Sequence, residues 1–187
     1  REMFLDKFGA NLAILGIALA EGGGQRATSV RNGMAKLASD IDLVAIHDAA
    51  RPCLAGRWID EVLATARRTG AAMLATPVTA TLKRCDENRL VTATVDRSGL
   101  WEAQTPQVFS RQLLTEAFAA DASDTATDEA HLIQAAGHPV TVVPGSPLNL
   151  KITTRDDLRL AEQVLKVLPK PSLGGPAHPF ADDDRWR

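Results

Sequence analysis

Apolar positions along the chain recur in two rhythms. Residues 12–20 form an apolar run interrupted only by Gly16, which predicts a buried strand. Residues 28–39 place Val30, Met34, Leu37 and Ala38 at helical spacing. Leu43–Ile46 is a short apolar strand. Residues 57–68 set Trp58, Val62, Leu63 and Ala66 on one helical face, and residues 71–76 form another strand. Strand and helix alternate, which predicts a parallel sheet with helices on its faces. From 77 to about 105 the pattern breaks. Strand-like pieces at 79–83 and 90–95 flank the turn signal Asp86-Glu87-Asn88, predicting an antiparallel arm that projects from the sheet. Helices resume at Arg111–Ala120 and at 128–136, where Gly137 is a stop. Late strands are predicted at 139–143 and 148–152. Thr154 caps a last helix that runs to Leu168, with Asp157 at its third position and Leu158, Ala161, Leu165 and Leu168 facing inward. Residues 1–168 therefore read as one domain. Residues 169–187, with four prolines and three adjacent aspartates, read as a disordered tail.

Composition narrows the function. Apolar residues make up 45% of the 187 and charged residues 24%, values of a soluble globular protein rather than a collagen-like or disordered chain. Lys and Arg number 21 against 23 Asp and Glu, so the net charge of −2 gives no global field for nucleic acid or an acidic membrane. Tyrosine is absent and aromatics are 4%, which argues against base-stacking platforms. Cys53 and Cys85 are too few for a disulfide framework or a zinc cluster, and both are read as reduced. The run at 12–20 falls well short of the roughly 20 residues of a membrane span. It imitates a signal peptide, with Ala18-Leu19-Ala20 as a cleavage-like site. However, Arg1, Glu2, Asp6 and Lys7 cancel, and the strand reading is favoured.

Four clusters carry candidate chemistry. Gly22-Gly23-Gly24-Gln25-Arg26 precedes a helix, where backbone N–H groups and the helix N-terminus favour an anion, and Arg26 and Ser29 add side-chain donors. An ordinary strand–helix turn fits the same residues, and no dinucleotide or Walker fingerprint is present. His47-Asp48-Ala49-Ala50-Arg51-Pro52 follows the end of the Leu43–Ile46 strand, where open α/β sheets bind ligands. Asp48 suits Mg²⁺, Ala49 and Ala50 leave room for a ligand, and Arg51 orients the loop or pairs with a carboxylate. A structural Asp–Arg pair is the alternative, and His47 alone reads as a packed or hydrogen-bonded residue. In the arm, Thr81, Lys83, Arg84, Arg97 and Thr105 are suited to a phosphate, although a solvated charged hairpin fits their composition better. Lys151, inside the predicted apolar strand at 148–152, incurs a desolvation cost unless it meets an anion, which favours function over snorkelling.

Together these stretches resemble the 2-C-methyl-D-erythritol 4-phosphate cytidylyltransferases. The matching segments are GGGQRATSVRNG at 22–33, HDAARPC at 47–53, TPVTATLKR at 76–84, TVDRSGLWEAQTPQVF at 94–109, TDEAHLI at 127–133 and NLKITTRDDLRLAE at 149–162. They span about residues 20–168 in order. The resemblance implies an α/β, Rossmann-like, mostly parallel sheet with helices on both faces and an arm, about 77–105, that embraces a second subunit. It implies transfer of CMP from CTP to methylerythritol phosphate by a cytoplasmic homodimer using Mg²⁺, without nucleic-acid or membrane partners. By motif position, Gly22, Gly23, Arg26 and Ser29 recognise the cytidine. Asp48 holds Mg²⁺, with Ala49 and Arg51 shaping the nucleotide site, and Lys151 lies on the phosphates. Thr81, Arg97 and Thr105 reach the sugar phosphate across the dimer.

Two departures accompany the resemblance. The family's Gly-rich triphosphate loop, with its arginine and lysine, has no counterpart in residues 1–21, so the chain is expected to begin inside the domain. Ala80 stands where the family usually has Asp. The rival readings are a cytidylyltransferase for ribitol phosphate or another sugar phosphate, and a non-catalytic dimerising remnant.

Overall fold

The computed structural model describes residues 2–120 and 126–169. In chain order these form α1 (Glu2–Ile14), α2 (Arg26–Met34), β1 (Leu43–Ile46), α3 (Gly56–Thr69), β2 (Ala71–Pro77), β3 (Leu82–Cys85) and β4 (Val91–Val95). Then come β5 (Trp101–Ser110), α4 (Arg111–Ala120), α5 (Glu129–Ala135), β6 (Thr141–Pro144) and α6 (Arg155–Val167).

The main sheet has the order β1-β5-β2-β6. β2 and β6 pair in parallel, and β5 lies antiparallel between β1 and β2. Three of the four strands thus point the same way, the mostly parallel sheet expected, with one reversed strand near its centre. Alternation along β2 sends Ala71 and Met73 to one face and Ala72 and Leu74 to the other. The first face packs on Leu114 and Ala117 of α4 and Leu132 and Ile133 of α5, with Met34 of α2 at its margin. The second packs on Trp58, Val62 and Ala66 of α3, which recur every four residues. Small alanines on β2 let both helical layers approach closely. Gly70, at φ 81°, ends α3 in the left-handed conformation that glycine adopts without steric penalty.

β3 and β4 form a separate two-stranded hairpin, the expected arm. Its turn is held by the Asp86 carboxylate, which accepts from the backbone N–H groups of Asn88 and Leu90. The β2–β5 ladder continues to Pro77 opposite Trp101, so the projecting part spans 78–100 and is shorter than the expected 77–105. α6 begins with the expected capping box. Thr154 Oγ1 accepts from Asp157 N, and the Asp157 carboxylate accepts from Thr154 N.

Four expectations are corrected. Residues 12–20 do not form a buried strand. They comprise the end of α1, whose residues are not buried (Ile14 is 84% exposed), a stop at Gly16 (φ 65°) and an irregular segment with no strand partner among the described residues. Apolar character alone does not make a strand where no neighbour supplies a ladder. Residues 148–152 also form no strand. A turn at Ser146 and a single backbone bond from Ile152 N to Ala50 O hold them instead. On α6, Leu158 and Leu165 are 50% and 49% exposed, while Ala161 and Val164 are buried against Cys53. The buried stripe is narrower than the leucine spacing predicts, and Leu168 closes its end. Finally β5, ten residues long and central, was not expected as a strand. The tail expectation lies, from residue 170 onward, outside the described residues.

Candidate functional site

The C-terminal end of β1 delivers the loop that begins at His47, and β5 anchors it from below. Asp48 N donates to Thr105 Oγ1 at 3.0 Å. Thr105 Oγ1 lies 3.0 Å from His47 Nδ1, and His47 Nε2 lies 2.9 Å from the Arg51 carbonyl oxygen. That carbonyl can only accept, so Nε2 carries a proton and donates to it, and Nδ1 is hydrogen-bonded to the Thr105 hydroxyl. The chain of bonds closes residues 47–51 into a rigid loop. Its Asp48 carboxylate points into a ring of cations. Lys151 Nζ is 3.0 Å from Oδ2, Arg51 Nε is 3.7 Å from Oδ2, and Arg26 Nη2 is 3.8 Å from Oδ1.

Each cation arrives on a different element. Arg51 is clamped by donation from Nη1 to the Asn149 carbonyl oxygen at 2.7 Å and from Nη2 to the Ala103 carbonyl oxygen at 3.4 Å. Lys151 follows Asn149, a fully buried residue whose amide donates to the Thr105 carbonyl oxygen at 2.8 Å and to Gln104 Oε1 at 3.3 Å. Gln104 in turn donates to the Ser146 carbonyl oxygen at 2.8 Å. The segment that presents Lys151 is therefore tied to β5 rather than built as a strand. Lys151 itself is 48% exposed, not buried in an apolar strand as expected. Arg26 opens α2, and its Nη1 donates to Glu129 Oε1 on α5.

The charges decide the protonation states. Burial alone would raise the Asp48 carboxyl, but the hydrogen bond and charge of Lys151, with Arg26 and Arg51 behind it, hold it below its ordinary value. Burial lowers Arg51, and Asp48 opposes that shift. Burial pulls Arg26 down as well, but the hydrogen bond and charge of Glu129, then Asp48 and Asp128, raise it overall. Around Asp48 itself three cations face one carboxylate, a local excess of positive charge suited to an anion, while Glu129 and Asp128 lie on the far side of Arg26.

Among the described residues no group of three or more His, Cys, Asp or Glu side chains forms a metal cluster. Asp48 alone fits a magnesium ion. It is a hard oxygen donor held ionised, and its Oδ1 meets only the longer contact to Arg26. Such an ion characteristically takes one or two carboxylates and completes its shell with water and phosphate oxygens.

The other expected residues divide. Ser29 lies in α2, and its Oγ accepts from Gly23 N at 2.9 Å, closing the Gly22–Gly23 loop over the start of the helix. A Cβ on Gly23 would come within 2.3 Å of Thr28 Cβ, so only glycine fits there. Ala49 is exposed beside Asp48. Thr81 and Arg97 are exposed on the arm, where Arg97 donates to the Thr79 carbonyl oxygen. Among the described residues no hydrogen bond or ion pair joins either to Asp48. Thr105, grouped with them above, is instead buried beneath Asp48. Four contributors were missed in the sequence: Gln104, Asn149, Gln107 and Glu129. The first three lie inside the quoted motifs QTPQ and NLKITT, and Glu129 in TDEAHLI. The only signal for them was polar residues within otherwise apolar stretches.

The family model of 2-C-methyl-D-erythritol 4-phosphate cytidylyltransferase matches residues 5–167. The chain is 47% identical over 169 residues to the bifunctional enzyme IspD/IspF of Anaeromyxobacter sp. (strain Fw109-5), covering 88% of this chain and 44% of that protein. It is 50% identical over 149 residues to the 2-C-methyl-D-erythritol 4-phosphate cytidylyltransferase of Aromatoleum aromaticum, covering 77% of this chain and 63% of that protein. The crystal structure of the enzyme of that name from Thermus thermophilus superposes with a TM-score of 0.75 at 38% identity, covering 81% of this chain and 74% of that one. The chain spans about half the length of the first curated relatives it matches. On the ordered motifs, the fold and a family match over most of its length, the chain belongs to the 2-C-methyl-D-erythritol 4-phosphate cytidylyltransferase family.

Proposed function

We propose that the chain transfers CMP from CTP to 2-C-methyl-D-erythritol 4-phosphate and releases diphosphate. The observation that carries this reading is the convergence of Lys151, Arg51 and Arg26 on one ionised Asp48 at a strand end. In the reaction a phosphate oxygen of the sugar phosphate attacks the α-phosphorus of CTP. The P–O bond to the β-phosphate breaks, and its electron pair leaves with diphosphate. The attacking oxygen is already ionised, so no general base is required. What the reaction needs is two anions brought together and their crowded charge stabilised. Lys151, half-exposed and 3.0 Å from Asp48, is open to solvent and available to meet the α-phosphate and the incoming phosphate. Arg51, held by two carbonyl oxygens, fixes the loop. Gly22, Gly23, Arg26 and Ser29 receive the nucleoside, and Ala49 leaves space beside Asp48. Asp48 would hold Mg²⁺, which when bound supplies Lewis-acid polarisation of the phosphate.

The arm exposes apolar residues near its tip, Leu90 and Val91, and basic residues along its length, Arg84 on β3 and Arg97 at its base, and this supports a homodimer in which it serves a second subunit's sugar-phosphate site through Thr81 and Arg97. Thr105 acts from within its own subunit, beneath Asp48. No helix of the described residues is long and apolar enough to cross a membrane. The free, exposed Cys85 suits a reducing cytoplasm.

Diphosphate release from CTP and Mg²⁺ tests the reading, with methylerythritol phosphate and ribitol phosphate in parallel. Release that depends on methylerythritol phosphate is expected. Preference for ribitol phosphate would move the substrate to the other sugar, and no release with either would overturn the activity.

A further inference from the structure

Glu129 is a buried charge to which the proposed chemistry gives no part. It opens α5, and its side chain is 3% exposed. Oε1 accepts from Arg26, 103 residues away in sequence, while Oε2 is buried with no partner. A buried carboxylate is costly, and an unpartnered oxygen adds to that cost. The neighbouring residues Ala130, Leu132 and Ile133 enter the apolar core. An apolar side chain at 129 would serve stability better.

Gln107 of β5 accounts for the rigidity of this position. Its Nε2 donates to Asp128 Oδ2 at 2.9 Å, and its Oε1 accepts from Ala130 N at 3.0 Å. Asp128 also caps α5 by accepting from His131 N at 2.8 Å. The residues on both sides of Glu129 are thereby fastened to the central strand, so its carboxylate is the fixed end of the pair and Arg26 the movable one. The Arg26 guanidinium reaches between two carboxylates, Nη1 on Glu129 and Nη2 at 3.8 Å from Asp48.

We infer that Glu129, fastened through Gln107, is a positioning residue that holds Arg26 short of direct contact with Asp48. This rests on the proposed nucleotide function, since Arg26 begins the helix that carries Ser29 and follows the Gly22–Gly23 loop. Without the Glu129 charge, Arg26 closes on Asp48 or turns into solvent. In either case the nucleotide loop loses its spacing from Asp48, while Lys151 stays in place. Nucleotide affinity should suffer and the chemical step should not.

The test is a double-mutant cycle of Glu129→Gln and Arg26→Gln, read as KM for CTP and kcat separately. Each single change is expected to raise the KM for CTP about tenfold, the scale of a hydrogen bond between charged groups, with kcat little changed. Because Glu129 acts through Arg26, the double variant is expected to match Arg26→Gln. Multiplied losses of about a hundredfold, or an unchanged KM in Glu129→Gln, would overturn the inference. A second arm needs no nucleotide. In nitrogen NMR of the ligand-free chain, the Arg26 guanidinium is expected to rotate slowly in the wild type and freely in Glu129→Gln. Free rotation in the wild type overturns the positioning role without any variant having to fold. Absent CTP turnover in the wild type would instead overturn the proposed function, and the guanidinium spectrum would still decide the role of Glu129.

Discussion

Asn149→Leu isolates how the site is held. Leucine keeps the branched outline of asparagine and removes only its polarity. Two buried acceptors then lose their donor: the Thr105 carbonyl oxygen at 2.8 Å and Gln104 Oε1 at 3.3 Å. An orphaned buried acceptor costs about 1–3 kcal/mol. The longer bond belongs to a side chain that can turn, and counts at the low end. Against this, the variant removes Asn149 Oδ1, which is buried without a partner and already imposes a cost of about 1 kcal/mol or more. The net loss comes to about 2 kcal/mol. For a chain of this size that corresponds to roughly 4–8 °C in Tm. Urea unfolding should show the loss as a lower midpoint with an unchanged slope. Asn149→Asp should be worse, because it removes the same donors and places a charge against the Thr105 carbonyl oxygen. Turnover should fall in both, since Lys151 hangs on the same segment. A leucine variant within about 0.5 kcal/mol of wild type would refute the account, as would an aspartate variant no less stable than the leucine one.

Lys151→Ala should lower turnover by about 10²-fold, the scale of a lost electrostatic stabiliser, while the unfolding midpoint drops only slightly, since a half-exposed pair with Asp48 is worth about 1 kcal/mol or less. Near-normal turnover would remove Lys151 from the chemistry. Arg97→Ala should raise the KM for the sugar phosphate and spare that for CTP, and the reverse pattern would displace the arm from the sugar-phosphate site. Hydrogen bonds from Thr153 and Thr154 hold the Asp157 carboxyl down from 3.8 to about 2. A depressed carboxyl stabilises the fold above its unfolded value and loses that contribution as pH falls through the folded one. The Thr153 and Thr154 amides should therefore lose exchange protection between about pH 4 and pH 2, whereas in Asp157→Asn protection should not change over that interval.

Several elements were legible because a local rule and the tertiary environment agree. β1 and α4 match their expected bounds, and the Thr154–Asp157 box announced α6 from two residues. β5 was obscured by its own function. Pro106 and the run of Gln104, Thr105 and Gln107 argue against a central strand, yet those side chains are buried because each fastens a different part of the site. Residues 12–20 failed for the opposite reason: their apolar pattern asks for a partner that no described residue supplies. At the site, Asp48 and Arg51 could be found from position beside a strand end, Arg26 from the Gly-rich start of a helix, and Lys151 from a lysine set among apolar residues, although the strands expected beside the last two do not form. Glu129 could not, because its meaning depends on a guanidinium 103 residues away.

The arm leaves and rejoins the sheet on a single rung, where Pro77 lies opposite Trp101. An excursion that starts and finishes on paired residues of neighbouring antiparallel strands can gain or lose length without shifting either strand by a residue. Side chains along β2 and β5 therefore keep their faces whatever happens beyond that rung. The arm, proposed as the dimer surface, is free to drift at the pace of a loop, while Gln104, Thr105 and Gln107 stay bound to the pace of a core. Replacing residues 78–100 with a tight turn should accordingly release a body that still folds and still gathers its cations around Asp48.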